Sequence, residues 1–195
     1  MVGIVEDISK AVGQGFRTEG DRIYLLGLPT SAQANTISFG GSEYLMAIQN
    51  IAAGQPPVVD FVLERSVQAA CREGIRQSWI KSAHDSSEGG LAIALAESCI
   101  GGNIGAAIEL ISASHCLDYA MFAEGGARII ATVSPDNQTE WETYLNDSLR
   151  GHWQSIGTVS GSALEIVVQG QTVINVSVAE MTETWGEAID RRMAV

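Results

Sequence analysis

His84-Asp85-Ser86-Ser87-Glu88-Gly89-Gly90-Leu91 places an imidazole, two carboxyls and two hydroxyls directly before a glycine pair. It lies between an apolar run ending at Ala83 and a helix-like stretch beginning near Gly89, so it reads as a strand-to-helix corner. Helix starts leave main-chain N–H groups without intrahelical partners and carry partial positive charge. Glycine lets a ligand, or another stretch of backbone, approach closely. Asp85, Ser86, Ser87, Gly89 and Gly90 are therefore candidate contacts for a phosphate or another anionic substrate group, with His84 a secondary candidate. The same residues would also serve a tightly packed corner in which Asp85 or a serine caps the helix. Asp85 could equally meet a metal ion. The run lacks the Gly-Lys-Ser/Thr ending of a P-loop and the G-x-G-x-x-G spacing of a dinucleotide site.

Phe122-Ala123-Glu124-Gly125-Gly126-Ala127-Arg128 is a second polar cluster around glycines. Glu124 and Arg128 could pair across the turn, or the guanidinium could meet a phosphate or carboxylate. Arg128 is thus the other secondary candidate. Ser42 is placed to cap a short helix, with Glu43 favourable in its first turn. His115 and Cys116 adjoin, but no further ligands stand at a metal-binding spacing, so no metal site is expected. Cys71, Cys99 and Cys116 are widely spaced without a C-x-x-C pair, which fits neither a disulfide framework nor a zinc site. Cys71 and Cys99 lie in helix-like apolar stretches and read as reduced packing residues. No catalytic residue is assigned.

These clusters need elements to hold them. Ile23-Tyr24-Leu25-Leu26, closed by Gly27 and Pro29, has the length and boundaries of a buried strand. Residues 1–20 read as a strand start that loosens at Gly13, Gly15 and Gly20, and residues 30–40 as loop. Asp60 caps a helix whose Leu63, Val67, Ala70, Cys71 and Gly74 share one face. Strands are expected over Trp79–Ala83, Ile104–Ile111, Ile129–Val133, Trp153–Val159, Leu164–Val168 and Thr172–Val176. Helices are expected over 89–98, from Pro135 to Leu145 behind the plausible cap Ser134, and over 178–191. Asp136, Glu140, Glu142 and Asp147 read as a solvated helix face. The mixture of separated elements favours an α+β fold with a mixed, largely antiparallel sheet and packed helices.

The chain has 195 residues, enough for one domain with a real core. Charged residues make up 17% of it, below the typical value of about 25%. With a mean hydropathy of +0.12, this points to unusual burial, within the chain or against a partner. A net charge of −12 opposes nucleic acid and anionic membranes. The amino-terminal stretch has no basic start or continuous apolar core. No stretch approaches the roughly 20 apolar residues of a membrane span, and the chain reads as cytoplasmic.

The run 84–91 resembles the H-D-x-S-D-G-G-L signature of the C-terminal domain of phosphoribosylformylglycinamidine synthase. More broadly it resembles the matching loop of the aminoimidazole ribonucleotide synthetase superfamily. Other segments agree in order. Val2-Gly3-Ile4-Val5-Glu6-Asp7 resembles the synthase V-G-x-x-E-D, and Gly40-Gly41-Ser42-Glu43-Tyr44-Leu45 its G-G-S-E-Y-L. Pro56-Pro57-Val58-Val59-Asp60 resembles P-P-x-x-D, Phe122 through Arg128 the F-x-E…R stretch, and Ile156-Gly157-Thr158-Val159 a late I-G-x-V. Glu88 departs from the usual Asp, keeping the charge with a longer reach. Thr30–Phe39 looks longer and more polar than the family run.

The resemblance implies an ATP-dependent ligase of purine synthesis that converts formylglycinamide ribonucleotide to its amidine. It implies ATP and magnesium in the full enzyme, with ammonia supplied by a glutamine amidotransferase component. ATP activates the formamide oxygen as a phosphoryl imidate, and ammonia displaces phosphate. The family subunit has two halves, each with an A-type and a B-type domain. This chain is similar to the second B-type domain, with 1–20 leading in from an A-type domain and 21–195 forming the domain itself. The A-type nucleotide and magnesium motifs and the family's catalytic His have no counterpart here, and His84 is not that base. The isolated chain is expected to be inactive, to hold no cofactor tightly, and to self-associate through surface that the other domains would cover. Two alternatives stand beside this reading. One is a hydrogenase-maturation, selenophosphate or thiamine-phosphate synthetase. The other is a non-catalytic module binding a nucleotide or phosphorylated metabolite.

Overall fold

The computed structural model describes residues 4–5, 7–32, 36–111 and 117–193. Its centre is strand β1, Arg22–Gly27, whose apolar run is buried on both faces. Ile23 and Leu25 point to one side, and Tyr24 and Leu26 to the other, because side chains alternate along a strand. A strand buried on both faces reads as a continuous apolar run, as 23–26 does.

Six further strands complete one sheet: β2 (Ile80–Asp85), β3 (Ala106–Leu110), β4 (Arg128–Val133), β5 (Trp153–Val159), β6 (Ala163–Val168) and β7 (Gln171–Ser177). Their order is β2-β4-β1-β5-β3-β6-β7. Every pairing is antiparallel except β3 with β6. The fold is therefore the expected mixed, largely antiparallel one.

Helices cover both faces. On one side, α1 (Phe61–Arg76) and α4 (Gln138–Leu149) pack on Tyr24, Leu26, Ile80 and Val133 through Leu63, Val67, Trp141 and Leu145. Asp60 caps α1 as its position predicts: one carboxylate oxygen accepts the N–H groups of Val62 at 2.9 Å and Leu63 at 3.0 Å. On the other side, α2 (Gly90–Gly102) buries Leu91, Leu95 and Cys99 against Ile23, Leu25, Ile108 and Ile166. Cys71 and Cys99 are buried free thiols, and burial pushes Cys99 up to about 12.

Several boundaries differ from the sequence expectation. Residues 8–10 form a short 3₁₀ turn rather than a strand, because the Asp7 carboxylate accepts the Ser9 N–H and bends the chain. Val2, Gly3 and Glu6 lie outside the described residues, as do His115 and Cys116. Trp79 stays outside the strand, which begins at Ile80. Leu117–Phe122 forms a helix, α3, where none is expected. The last helix is two, α5 (Val178–Gly186) and α6 (Ala188–Met193), separated at Glu187. Residues 45–49 form a π-helical turn behind Ser42, whose hydroxyl accepts the Leu45 N–H at 3.3 Å.

Candidate functional site

Antiparallel pairing of β2 with β4 sets Asp85 opposite Ile129. The end of the first strand therefore meets the start of the second. One residue beyond, the Ser86 N–H donates to the Arg128 carbonyl at 3.0 Å. Two polar clusters about forty residues apart in sequence are brought to one corner at the sheet edge. A third segment joins through Ser38 and Glu124, which exchange two main-chain hydrogen bonds of 2.8 and 3.0 Å. The Gly41 N–H then donates to the Ala53 carbonyl at 2.9 Å, which brings Pro56 and Pro57 alongside.

The result is a cleft of about 580 Å³. Gly40, Gly41, Pro56 and Pro57 form one wall, and Asp85, Ser86 and Ser87 another. Glu124 through Ile129 run beneath, with Glu64 and Gln68 of α1 at the side. Four of the segments that carry the family resemblance thus converge on one cavity.

Arg128 dominates its chemistry. The residue is 3% exposed, and its Nη1 donates to the Ala123 carbonyl at 3.1 Å. Nε and Nη2 have no partner among the described residues, and neither has the Ser86 hydroxyl, on a residue 6% exposed. Burial pulls the guanidinium down to about 10, opposed weakly by the nearby Tyr119 hydroxyl, so it remains charged at neutral pH. A buried guanidinium without a counter-charge is costly, and buried polar atoms left unpartnered in a cleft point to a ligand. Two spare donors in a planar fork suit a phosphate or carboxylate.

The expected Glu124–Arg128 pair does not form. One Glu124 oxygen instead accepts the Gly89 N–H at 2.9 Å and the Glu43 N–H at 2.9 Å. Asp85 does not cap α2 either. The cap is Gly89, with φ of +74°, and the Asp85 carboxylate accepts from the Ser87 hydroxyl instead. Gly89 and Gly90 do not line the cleft. A β-carbon on Gly90 would lie 2.8 Å from the Met121 carbonyl oxygen, so this glycine serves a close approach of backbone to backbone. His84 turns to α2, hydrogen-bonded through Nε2 to Glu97 at 2.7 Å. Glu64 accepts from the Ala127 N–H and the Gln68 amide. Sequence reasoning passed over Glu64 and Gln68; their i, i+4 spacing on the polar face of α1 was the available signal.

The Ser87 hydroxyl is the largest influence holding the Asp85 carboxyl below its ordinary value of 3.8. A carboxyl lowered on folding contributes stability above its unfolded value, and loses it as the pH falls through the folded value. Ser87→Ala is therefore expected to lower stability at neutral pH, with the gap closing as the pH drops below 3.8. Urea midpoints across the acid range would show this, and a gap independent of pH would sink it. The effect is small, because the Asp85 side chain is 71% exposed.

Comparison with known proteins agrees with the architecture. Residues 18–169 match the family model described as AIR synthase related protein, C-terminal domain. The chain is 50% identical over 197 residues to the phosphoribosylformylglycinamidine synthase subunit PurL of Synechococcus elongatus. That alignment takes in 100% of this chain and 25% of the relative. The chain thus spans about a quarter of the length of the curated relatives it matches. Among solved structures, Thermotoga maritima PurL complexed with FGAR superposes with a TM-score of 0.71 at 16% identity, covering 90% of this chain and 30% of that one. PurLQS from the same organism gives 0.65 at 17% identity, covering 90% and 28%. At such identities these two show a shared fold.

Proposed function

The chain belongs to the AIR synthase related protein C-terminal domain family, and on that premise we propose that it supplies one substrate-side wall of a phosphoribosylformylglycinamidine synthase. The observation that carries this is the cleft floor. The buried guanidinium of Arg128 and the hydroxyl of Ser86 have donors to spare, and a phosphorylated ribonucleotide would use them. The phosphate contacts in this reading are Arg128, Ser86 and Ser87, with Asp85 at the rim. Gly89, Gly90 and His84 support the corner from behind.

The donor set argues against a magnesium site within this cleft. Its acidic groups are already engaged: Asp85 by Ser87, Glu124 by two N–H groups, and Glu64 by Gln68 and Ala127. Among the described residues no group of three or more His, Cys, Asp or Glu side chains is placed to hold a metal ion. Metal and nucleotide chemistry then falls to the remainder of the polypeptide that the longer relatives carry. Ammonia delivery falls to an amidotransferase component. No helix among the described residues is long and apolar enough to cross a membrane.

Two measurements test the proposal. Given ATP, magnesium, ammonia and formylglycinamide ribonucleotide, the 195-residue chain is expected to show no turnover. Exchanged for the matching quarter of the Synechococcus elongatus subunit, it is expected to sustain turnover within about tenfold of the parent, a barrier change of about 1.4 kcal/mol. Turnover by the chain alone, or a folded but inactive chimera, would count against it.

A further inference from the structure

Glu124 sits where three sides of the cleft meet, and its carboxylate holds two of them. Oε1 accepts the N–H of Gly89, the cap of α2, at 2.9 Å. The same oxygen accepts the N–H of Glu43, the first residue of the helical turn behind Gly40 and Gly41, also at 2.9 Å. The chain before Gly89 carries Ser86 and Ser87, and the chain before Glu43 carries the opposite wall. A single charged acceptor therefore closes two helix starts that belong to facing walls. Donors at helix starts favour a negative charge, and bonds to a carboxylate are short and strong.

The position of Glu124 is itself fixed from several directions. Its own N–H and carbonyl are locked to Ser38. Directly before it, the Ala123 carbonyl accepts Nη1 of Arg128 at 3.1 Å. Beside it, Tyr44 stacks between Phe39 at 4.9 Å and Phe122 at 5.0 Å, pinning the Gly40–Gly41 segment to α3. The side chain reaches both donors from a braced backbone, so the bonds cost little ordering entropy.

From this geometry we infer that Glu124 is the positioning residue of the cleft, setting the distance between the Ser86–Ser87 wall and the Gly40–Gly41 wall so that a phosphate monoester fits over Arg128. The inference rests on the reading of the cleft as a phosphate site. Glu124 contacts no ligand in this role; it acts through the two walls. Its carboxylate also occupies the α2 helix start, which explains why the anion position lies at Arg128 and not at Gly89–Gly90.

The test uses the 195-residue chain with ribose 5-phosphate as probe, followed by amide chemical shifts at Ser86, Ser87, Gly125 and Gly126. Glu124→Ala is expected to weaken binding about tenfold, and to speed hydrogen exchange at both the Gly89 and the Glu43 amides. Glu124→Gln, which keeps an acceptor oxygen, is expected to restore affinity to within about threefold of the parent. Wild-type binding left within about twofold by Glu124→Ala overturns the positioning role alone. So does loss of affinity without faster exchange at the two amides, or without rescue by the glutamine. A wild-type chain whose amides do not respond to ribose 5-phosphate overturns the phosphate reading, and this inference with it.

Discussion

Gly90→Ala is expected to destabilise the chain by about 3–5 kcal/mol, adding the cost of a left-handed alanine to that of overpacking against rigid neighbours. The residue has φ of +68°, and an added β-carbon would meet the Met121 oxygen at 2.8 Å, the Phe122 carbonyl carbon at 2.8 Å and the Ala123 oxygen at 2.9 Å. All three are main-chain atoms at the end of α3 and the residue after it, so none can swing aside. Relief requires α2 to move from the segment that carries Glu124 and Arg128. Against a total stability of about 5–15 kcal/mol, such a loss brings many chains close to unfolding. Gly89→Ala is milder, since its close neighbours all belong to the Ile93 side chain rather than to main chain. Urea denaturation of both variants checks the ordering. A Gly90→Ala protein of near-normal stability that failed only to bind anions would show that the glycine pair exists for a ligand, contrary to the packing described.

Arg128→Met is expected to have the opposite sign for stability and a severe effect on binding. Arg128 is 3% exposed, and its Nε and Nη2 lack partners among the described residues. Replacing a buried charge by an apolar side chain of similar volume is often neutral or stabilising by about 1–4 kcal/mol, because the desolvation cost disappears. The bond to the Ala123 carbonyl is lost, which returns about 1 kcal/mol. The net expectation is a gain of up to about 3 kcal/mol, with no loss. Affinity for a phosphate monoester should meanwhile fall by at least about a hundredfold, as expected when a charge-assisted fork is removed. A stabilised protein that no longer binds is the signature of a functional charge held at a structural cost. A lower urea midpoint, or binding unchanged, would refute the assignment of Arg128 as the anion contact.

Much of the fold was legible because its signals are local. The buried run 23–26 marked the central strand, and the apolar spacing from Leu63 to Gly74 with Asp60 before it marked α1. Each depends on periodicity and capping within one element, which a single chain displays without help from its neighbours. The helix α3 was missed because six residues carry too few turns for periodicity to show. The break at Glu187 was missed because 178–191 reads as one helical pattern. The short helix behind Ser42 was expected, but its π-helical winding at 45–49 was not, because the closing bonds leave no mark in residue type.

At the corner that opened the reading, the sequence alone determined which residue types gather before α2 and which family the ordered segments resemble. It left open whether Asp85 caps, whether Glu124 pairs with Arg128, and what Gly90 packs against. Tertiary structure decided all three. Asp85 turned to Ser87, Glu124 to Gly89 and Glu43, and Gly90 to the carbonyls of residues 121 and 123. The reason is one of distance along the chain. Strand pairing of β2 with β4 and the Ser38–Glu124 bridge bring donors and acceptors together from 35 and 81 positions away. A carboxylate takes the nearest unpartnered N–H groups in space, and only the folded sheet establishes which those are.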